Sequence, residues 1–283
     1  MMLAADLFKP FEFEFFRNGV IVATLAGALC GVVGCYVVLR NMSYIGHGLS
    51  HAIFGGYAVA GLIGINLFLG AGAWGVITAL AIGGIVRRRP IGSDAAIGVV
   101  TTASFALGLA LVQLYGSPGQ NADALLFGNV LGVTFADVWL IVAVSIGAAL
   151  FIGFGYRQLL FTTFDTEVAK ATGVRTGLVD GLLMVLLSAT VLATMNVMGV
   201  TLIAANLVVP AVVARMLTDS FGRMLGYAGV IGAVSGFVGM NASYHLDVAS
   251  GPTIVLTAAT FFIVAFVAGG SFRRRAGTVA HAH

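Results

Sequence analysis

Apolar residues in this chain run in long blocks, and the charged positions fall between the blocks or near their ends rather than alternating within them. The blocks lie at 18–39, 44–65, 67–86, 94–115, 135–156, 178–196, 198–217, 224–244 and 252–271. Each approaches the ~20 residues that a helix needs to cross a bilayer. The pattern predicts nine spans; the sixth and seventh meet at Met195–Gly199, and if one of them fails to cross the count is eight. Between the fourth and fifth lies YGSPGQNADALLFGNVLGVTFAD, residues 115–137. Its apolar middle, Leu125–Val133, is too short to cross and predicts a re-entrant or interfacial piece. Ahead of the first block, LFKPFEFEFFRNG alternates aromatic and charged residues, so residues 1–17 are expected at the membrane interface with phenylalanines in the headgroup region.

Composition agrees with this reading. Hydrophobic residues make up 59% and charged residues 9%, against ~25% charged in soluble domains. The fold class is an all-α polytopic membrane protein, with residues 1–283 forming a single transmembrane domain and no room for a separate soluble one. The 39 glycines suit helices that approach closely in lipid. Cys30 and Cys35 lie in the first block on poorly aligned faces, which marks them as packing residues rather than a disulfide or metal site. Residues 1–17 carry Asp6, Glu12 and Glu14 without a long apolar core, so no cleavable signal peptide is expected.

The cations set an orientation. Segments 40–43, 87–93, 157–177, 215–223 and 272–283 hold 12 of the 14 Lys and Arg, leaving Lys9 and Arg17 elsewhere. The positive-inside rule places those segments in the cytoplasm, with the amino terminus outside, and it favours nine spans over eight. The net charge of +3 is then a topology signal, and no nucleic-acid partner is expected. The opposite face carries Asp123, Asp137, His245 and Asp247, a mildly acidic mouth that would attract a cation, or else ordinary solvated loop charges. The tail 272–283 is expected in the cytoplasm, with His281 and His283 in a disordered end.

Candidate chemistry concentrates in RNMSYIGHGLSHAIFGGYAVAG, residues 40–61. His47 and His51 stand at i and i+4, about 40° apart on one helical face, a spacing that lets two nitrogen ligands meet one ion. Ionisable groups at membrane depth are costly and point to function; the plainer alternative is two interfacial histidines bonded to backbone. The longest cation-bearing loop, 157–177, contains a short helix that Thr163 and Asp165 can cap and Gly173 can stop, either a docking knob for a cytoplasmic partner or a connector. No GxxxxGK[ST] phosphate loop is present, so an enzyme hydrolysing ATP by that route is not expected and energy must come from a partner. A secondary transporter would want carboxylates deep in the spans, yet Asp94 and Asp180 lie at span ends. A membrane metalloenzyme needs three or more ligands and a base, more than one HxxxH pair supplies.

These residues also carry a resemblance. RNMSYIGHGLSHAIFGG, SDAAIGVVTTASFALGL from Ser93, ADALLFGNVLGVTFAD from Ala122, FDTEVAKATGV from Phe164, VMGVTLIAANLVVPAVVAR from Val197 and YHLDVASGPTIVL from Tyr244 follow one another in family order. Over nearly its whole length the chain resembles the permeases of bacterial ATP-binding-cassette importers for manganese, zinc and iron, the ABC-3 type of metal permease. The resemblance implies a type II importer-like permease in the bacterial cytoplasmic membrane, acting by alternating access as a homodimer. It also implies a separate cytoplasmic ATP-binding subunit and an extracellular or periplasmic metal-binding lipoprotein. Phe164, Asp165, Glu167, Ala169 and Gly173 would then belong to a coupling helix seated in the ATPase. The ion, manganese or zinc with iron as a further option, is cargo, with no permanently bound cofactor; a permease of the same type for a chelated metal is the alternative.

One position departs from the family. An acidic residue usually precedes the histidine of the SHA triplet by four positions; His51 matches that histidine, and His47 stands where the acid would be. A carboxylate suits a hard ion such as manganese, whereas paired imidazoles lean toward zinc.

Overall fold

The computed structural model describes residues 9–88, 92–115 and 133–280. Within them the chain is helical, with no strand. A 3-10 turn, Lys9–Glu12, leads into α1 (Glu14–Leu39), α2 (Ile45–Ile63), α3 (Leu67–Arg88), α4 (Ser93–Tyr115) and α5 (Phe135–Phe164). The short α6 (Thr166–Ala171) is followed by α7 (Thr176–Met198), α8 (Ile203–Leu217), α9 (Phe221–Leu246) and α10 (Ser250–Ala280). Every predicted span therefore coincides with a helix. The piece expected at Leu125–Val133 lies, save for Val133, outside the described residues, as do Asp123, His281 and His283.

By length and composition, seven of these helices are apolar enough to cross a membrane: α1, α3, α4, α5, α7, α9 and α10. Helix α2 falls outside that group because its two histidines dilute the apolar run. Helix α8 has 15 residues, about 22 Å of helix against a hydrocarbon core of ~30 Å. It nevertheless runs from one end of the bundle to the other. Asn196 and Val197, just before it, bond to Asp137 and Ser250, and Phe221, just after it, packs on Tyr36 and Phe164. The missing length is made up by the buried turn around Gly199 and Val200, where Gly199 takes φ +76°.

Two ends can be told apart by contacts alone. Arg40 reaches Thr162, Thr163 and Asp180, and Ser93 bonds to Asn41. Segments rich in Lys and Arg therefore share one end. Phe16 packs on Tyr244, Asn196 bonds to Asp137, and Ser250 bonds to Val197 at the other. The alternation of helices between these ends puts the first and last helices' outer termini on opposite sides, matching the expected odd number of crossings.

Helix α1 is the central post. Of its most apolar stretch, 72% is buried, against 11% for α5, most of whose surface no described residue covers. Glycines on α1 meet α9 backbone to backbone, as at Gly27 and Gly232, the close approach that holds helices together where lipid offers no hydrophobic drive. Cys30 and Cys35 are buried, free thiols inside this post.

The amino-terminal segment differs from expectation. Helix begins at Glu14, four residues before the predicted block, because nothing between Phe13 and Asn18 breaks it and a carboxylate in the first turn favours the helix dipole. Phe16 is fully buried among the helices, edge-on to Phe11 and Tyr244 at 5.2 and 5.1 Å, whereas Phe13 is 48% exposed.

Candidate metal path and coupling helix

Helix α2 is gripped on three sides through its small residues. Gly46 faces Ala204 and Leu207 of α8, Gly48 faces Ile97 and Thr101 of α4, and Gly56 faces Trp74 of α3. At Gly55 and Gly108 the backbones of α2 and α4 touch, so a methyl group on either would overlap the other helix. Trp74 Nε1 donates to Ser104 Oγ at 2.5 Å, joining α3 to α4 around α2. The remaining side of α2 carries Tyr44, His47, His51 and Phe54, and this side turns outward: His47 is exposed and His51 half-buried. Packing of the glycines thus dictates where the histidines point.

The structure brings the two predicted histidines together. Their rings stand edge to face with centroids 4.5 Å apart. His51 is backed by Phe105 of α4 at 4.9 Å, and His47 by Tyr44 at 6.1 Å. Nδ1 of His51 is buried without a hydrogen-bond partner. Ser50, the other polar residue of the triplet, is turned in and donates to the His47 carbonyl at 2.8 Å. Among the described residues no three His, Cys, Asp or Glu side chains gather in one place. Among the described residues, one chain therefore offers an ion two imidazoles and no third ligand of these types beside them. Phe105, which shapes the back of the pair, was not legible in the sequence because an apolar residue on a distant span carries no mark of its neighbour.

Helix α6 has the predicted start and stop. The Asp165 side chain accepts from the backbone N–H of Glu167 and Val168, both at 3.0 Å. Gly173, at φ +79°, closes the other end as its N–H and that of Val174 bond back to Lys170 and Ala169. Thr163, also expected as a cap, instead accepts from Arg40. Ala169 is buried, whereas Phe164 and Val168 are 61% and 44% exposed, an apolar tip on a loop otherwise lined with polar groups. Glu167 and Lys170 pair with each other at 2.8 Å on the surface.

At the opposite end, Asp247 caps α9 in the left-handed region at φ 53°, and His245 stacks edge-on against Tyr244 at 5.5 Å. Both are exposed. Asp137 is not part of a mouth: it is buried, takes the Thr134 backbone and hydroxyl at 2.8 and 2.7 Å, and accepts from Asn196 Nδ2 at 2.7 Å.

Residues 12–269 match the model of the ABC 3 transport family. The manganese transport system membrane protein MntC of Halalkalibacterium halodurans is 39% identical over 255 residues, covering 90% of this chain and 87% of that protein. The manganese transport system membrane protein MntB of Synechocystis is 34% identical, with 92% of this chain and 85% of the relative covered. Among solved structures, PsaBC from Streptococcus pneumoniae in complex with Fab superposes with a TM-score of 0.83 at 35% identity, covering 93% of this chain and 95% of that one.

Proposed function

The chain belongs to the ABC 3 transport family, and from that premise we propose that it is the permease subunit of an ATP-driven importer of divalent metal ions, manganese or zinc. It is a multi-pass protein of the bacterial cytoplasmic membrane. The observation that carries the proposal is the His47–His51 pair, its rings 4.5 Å apart on one side of α2, with His47 exposed and His51 half-buried against Phe105 of α4.

Two ligands from one chain invite a second copy. In a twofold homodimer a symmetric contact brings equivalent residues together, so two α2 helices near the axis would present four imidazoles along one path. An ion held by two or three at a time, with water completing its shell, could be passed on rather than trapped. The manganese relatives support manganese as cargo; His47 in place of the usual acid supports acceptance of zinc. Without a phosphate loop of its own, the chain relies on a cytoplasmic ATP-binding subunit, which would seat α6 through its exposed Val168 and through Phe164 at the end of α5. A metal-binding lipoprotein would deliver the ion at the end that holds His245 and Asp247.

The test is reconstitution of the permease with its ATP-binding subunit and binding protein. With magnesium–ATP supplied throughout, the expected result is further stimulation of hydrolysis by added manganese or zinc, and by neither extra magnesium nor calcium. Hydrolysis indifferent to all four ions would reject the reading.

A further inference from the structure

One side chain ties the start of the histidine helix to both flanks of α6. Arg40 follows the last residue of α1, and its side chain is 10% exposed. Its Nη1 donates to Asp180 Oδ1 at 2.7 Å, Nη2 to Thr162 Oγ1 at 2.9 Å and Nε to Thr163 Oγ1 at 3.1 Å. Thr162 and Thr163 lie in the last turn of α5, immediately before Asp165 caps α6; Asp180 lies in the second turn of α7, which begins just beyond α6. The guanidinium therefore grips the helix entering α6 and the helix leaving it. The next residue, Asn41, accepts from Ser93 Oγ of α4 through its carbonyl at 3.2 Å. Four residues later α2 begins, with His47 in its first turn.

Close packing does not hold these ends. A cavity of about 370 Å³, bordered by Arg40, Ser93, Thr162, Asp180 and Met184, lies alongside. Hydrogen bonds from one planar cation bridge the gap, and only a fork-shaped donor can reach three acceptors on two helices at once. We propose that Arg40 is a positioning residue that transmits displacement of α6 to the turn 40–44 and so to His47 and His51. Movement of α6 carries the ends of α5 and α7 with it. Because Arg40 holds both, the turn and the first residues of α2 move as one piece. This rests on the metal-permease reading and adds to it a named mechanical link, made by a residue that lies outside both α6 and the histidine pair.

The experiment measures metal taken up per ATP hydrolysed in the reconstituted complex, for wild type, Arg40→Lys and Asp180→Asn. Lysine keeps the charge and loses the fork; asparagine keeps the shape and loses the ion pair. The expected result is hydrolysis within about twofold of wild type and uptake per ATP at least about tenfold lower, the loss that goes with a charged hydrogen bond. Uptake and hydrolysis falling in equal proportion, neither changing, or Arg40→Lys failing to assemble with the ATPase would each overturn the proposal and leave Arg40 a static tie. A wild-type complex that moves no metal would instead sink the permease reading beneath it.

Discussion

The rings of His47 and His51 meet edge to face at 4.5 Å on the side of α2 that the glycines leave free. The glycines and the histidines of this helix are therefore one device. Gly46, Gly48, Gly55 and Gly56 draw three neighbours close, and the imidazoles occupy what remains.

That device predicts unequal effects of glycine substitutions. Gly55→Val should prevent α2 and α4 from meeting and abolish folded permease, because the added side chain strikes the Ser104 backbone. Gly84→Ala meets nothing within 4 Å and should be neutral or stabilising by up to ~1 kcal/mol. Thermal unfolding of the two variants in detergent checks the contrast.

Asp137 should matter for stability rather than for ion approach. Asp137→Ala removes a helix cap and the partner of Asn196, a loss of about 2 kcal/mol. A lower melting temperature is expected, with the apparent affinity for metal unchanged. A raised KM for metal with unaltered melting would return Asp137 to the mouth.

The stop of α6 depends on a left-handed residue. Gly173→Val should uncouple ATP hydrolysis from uptake, because a β-branched side chain strains φ +79°. Gly173→Asn, which tolerates that conformation, should retain most coupling. Equal behaviour of the two variants would remove the role assigned to this turn.

The expected orientation can be read by labelling, since both native cysteines are buried. A cysteine replacing the exposed Val248 should react with an impermeant maleimide in intact cells, and one replacing Thr172 only after permeabilisation. The reverse pattern would invert the protein and detach α6 from any cytoplasmic partner.

Much of this architecture was legible because membrane crossing leaves a long apolar mark. Helix ends were less so. Helix α5 continues to Phe164, well past the predicted end at Tyr156, since Arg157 and Gln158 end the apolar run without ending the helix. Asp165 and Gly173 were legible as cap and stop because capping is local in sequence. The Arg40–Asp180 pair was not: the partners stand 140 positions apart, and Arg40 read only as one cation among those that orient the chain. Asp137 was misplaced for the same reason, its partner Asn196 being an uncharged residue of another span. The histidine pair was visible from spacing alone, but its outward direction follows from which neighbours the glycines admit.

Uptake of radiolabelled manganese and zinc by proteoliposomes holding the complete complex and internal or external ATP tests the central claim most directly. Four permeases are compared: wild type, His47→Ala, His51→Ala and His47→Asp. The account predicts ATP-dependent uptake by wild type, near-complete loss in His51→Ala, a smaller loss in His47→Ala, and retained transport shifted toward manganese in His47→Asp. Uptake by His51→Ala at the wild-type rate for both ions would contradict it, making the pair structural and placing the metal path elsewhere.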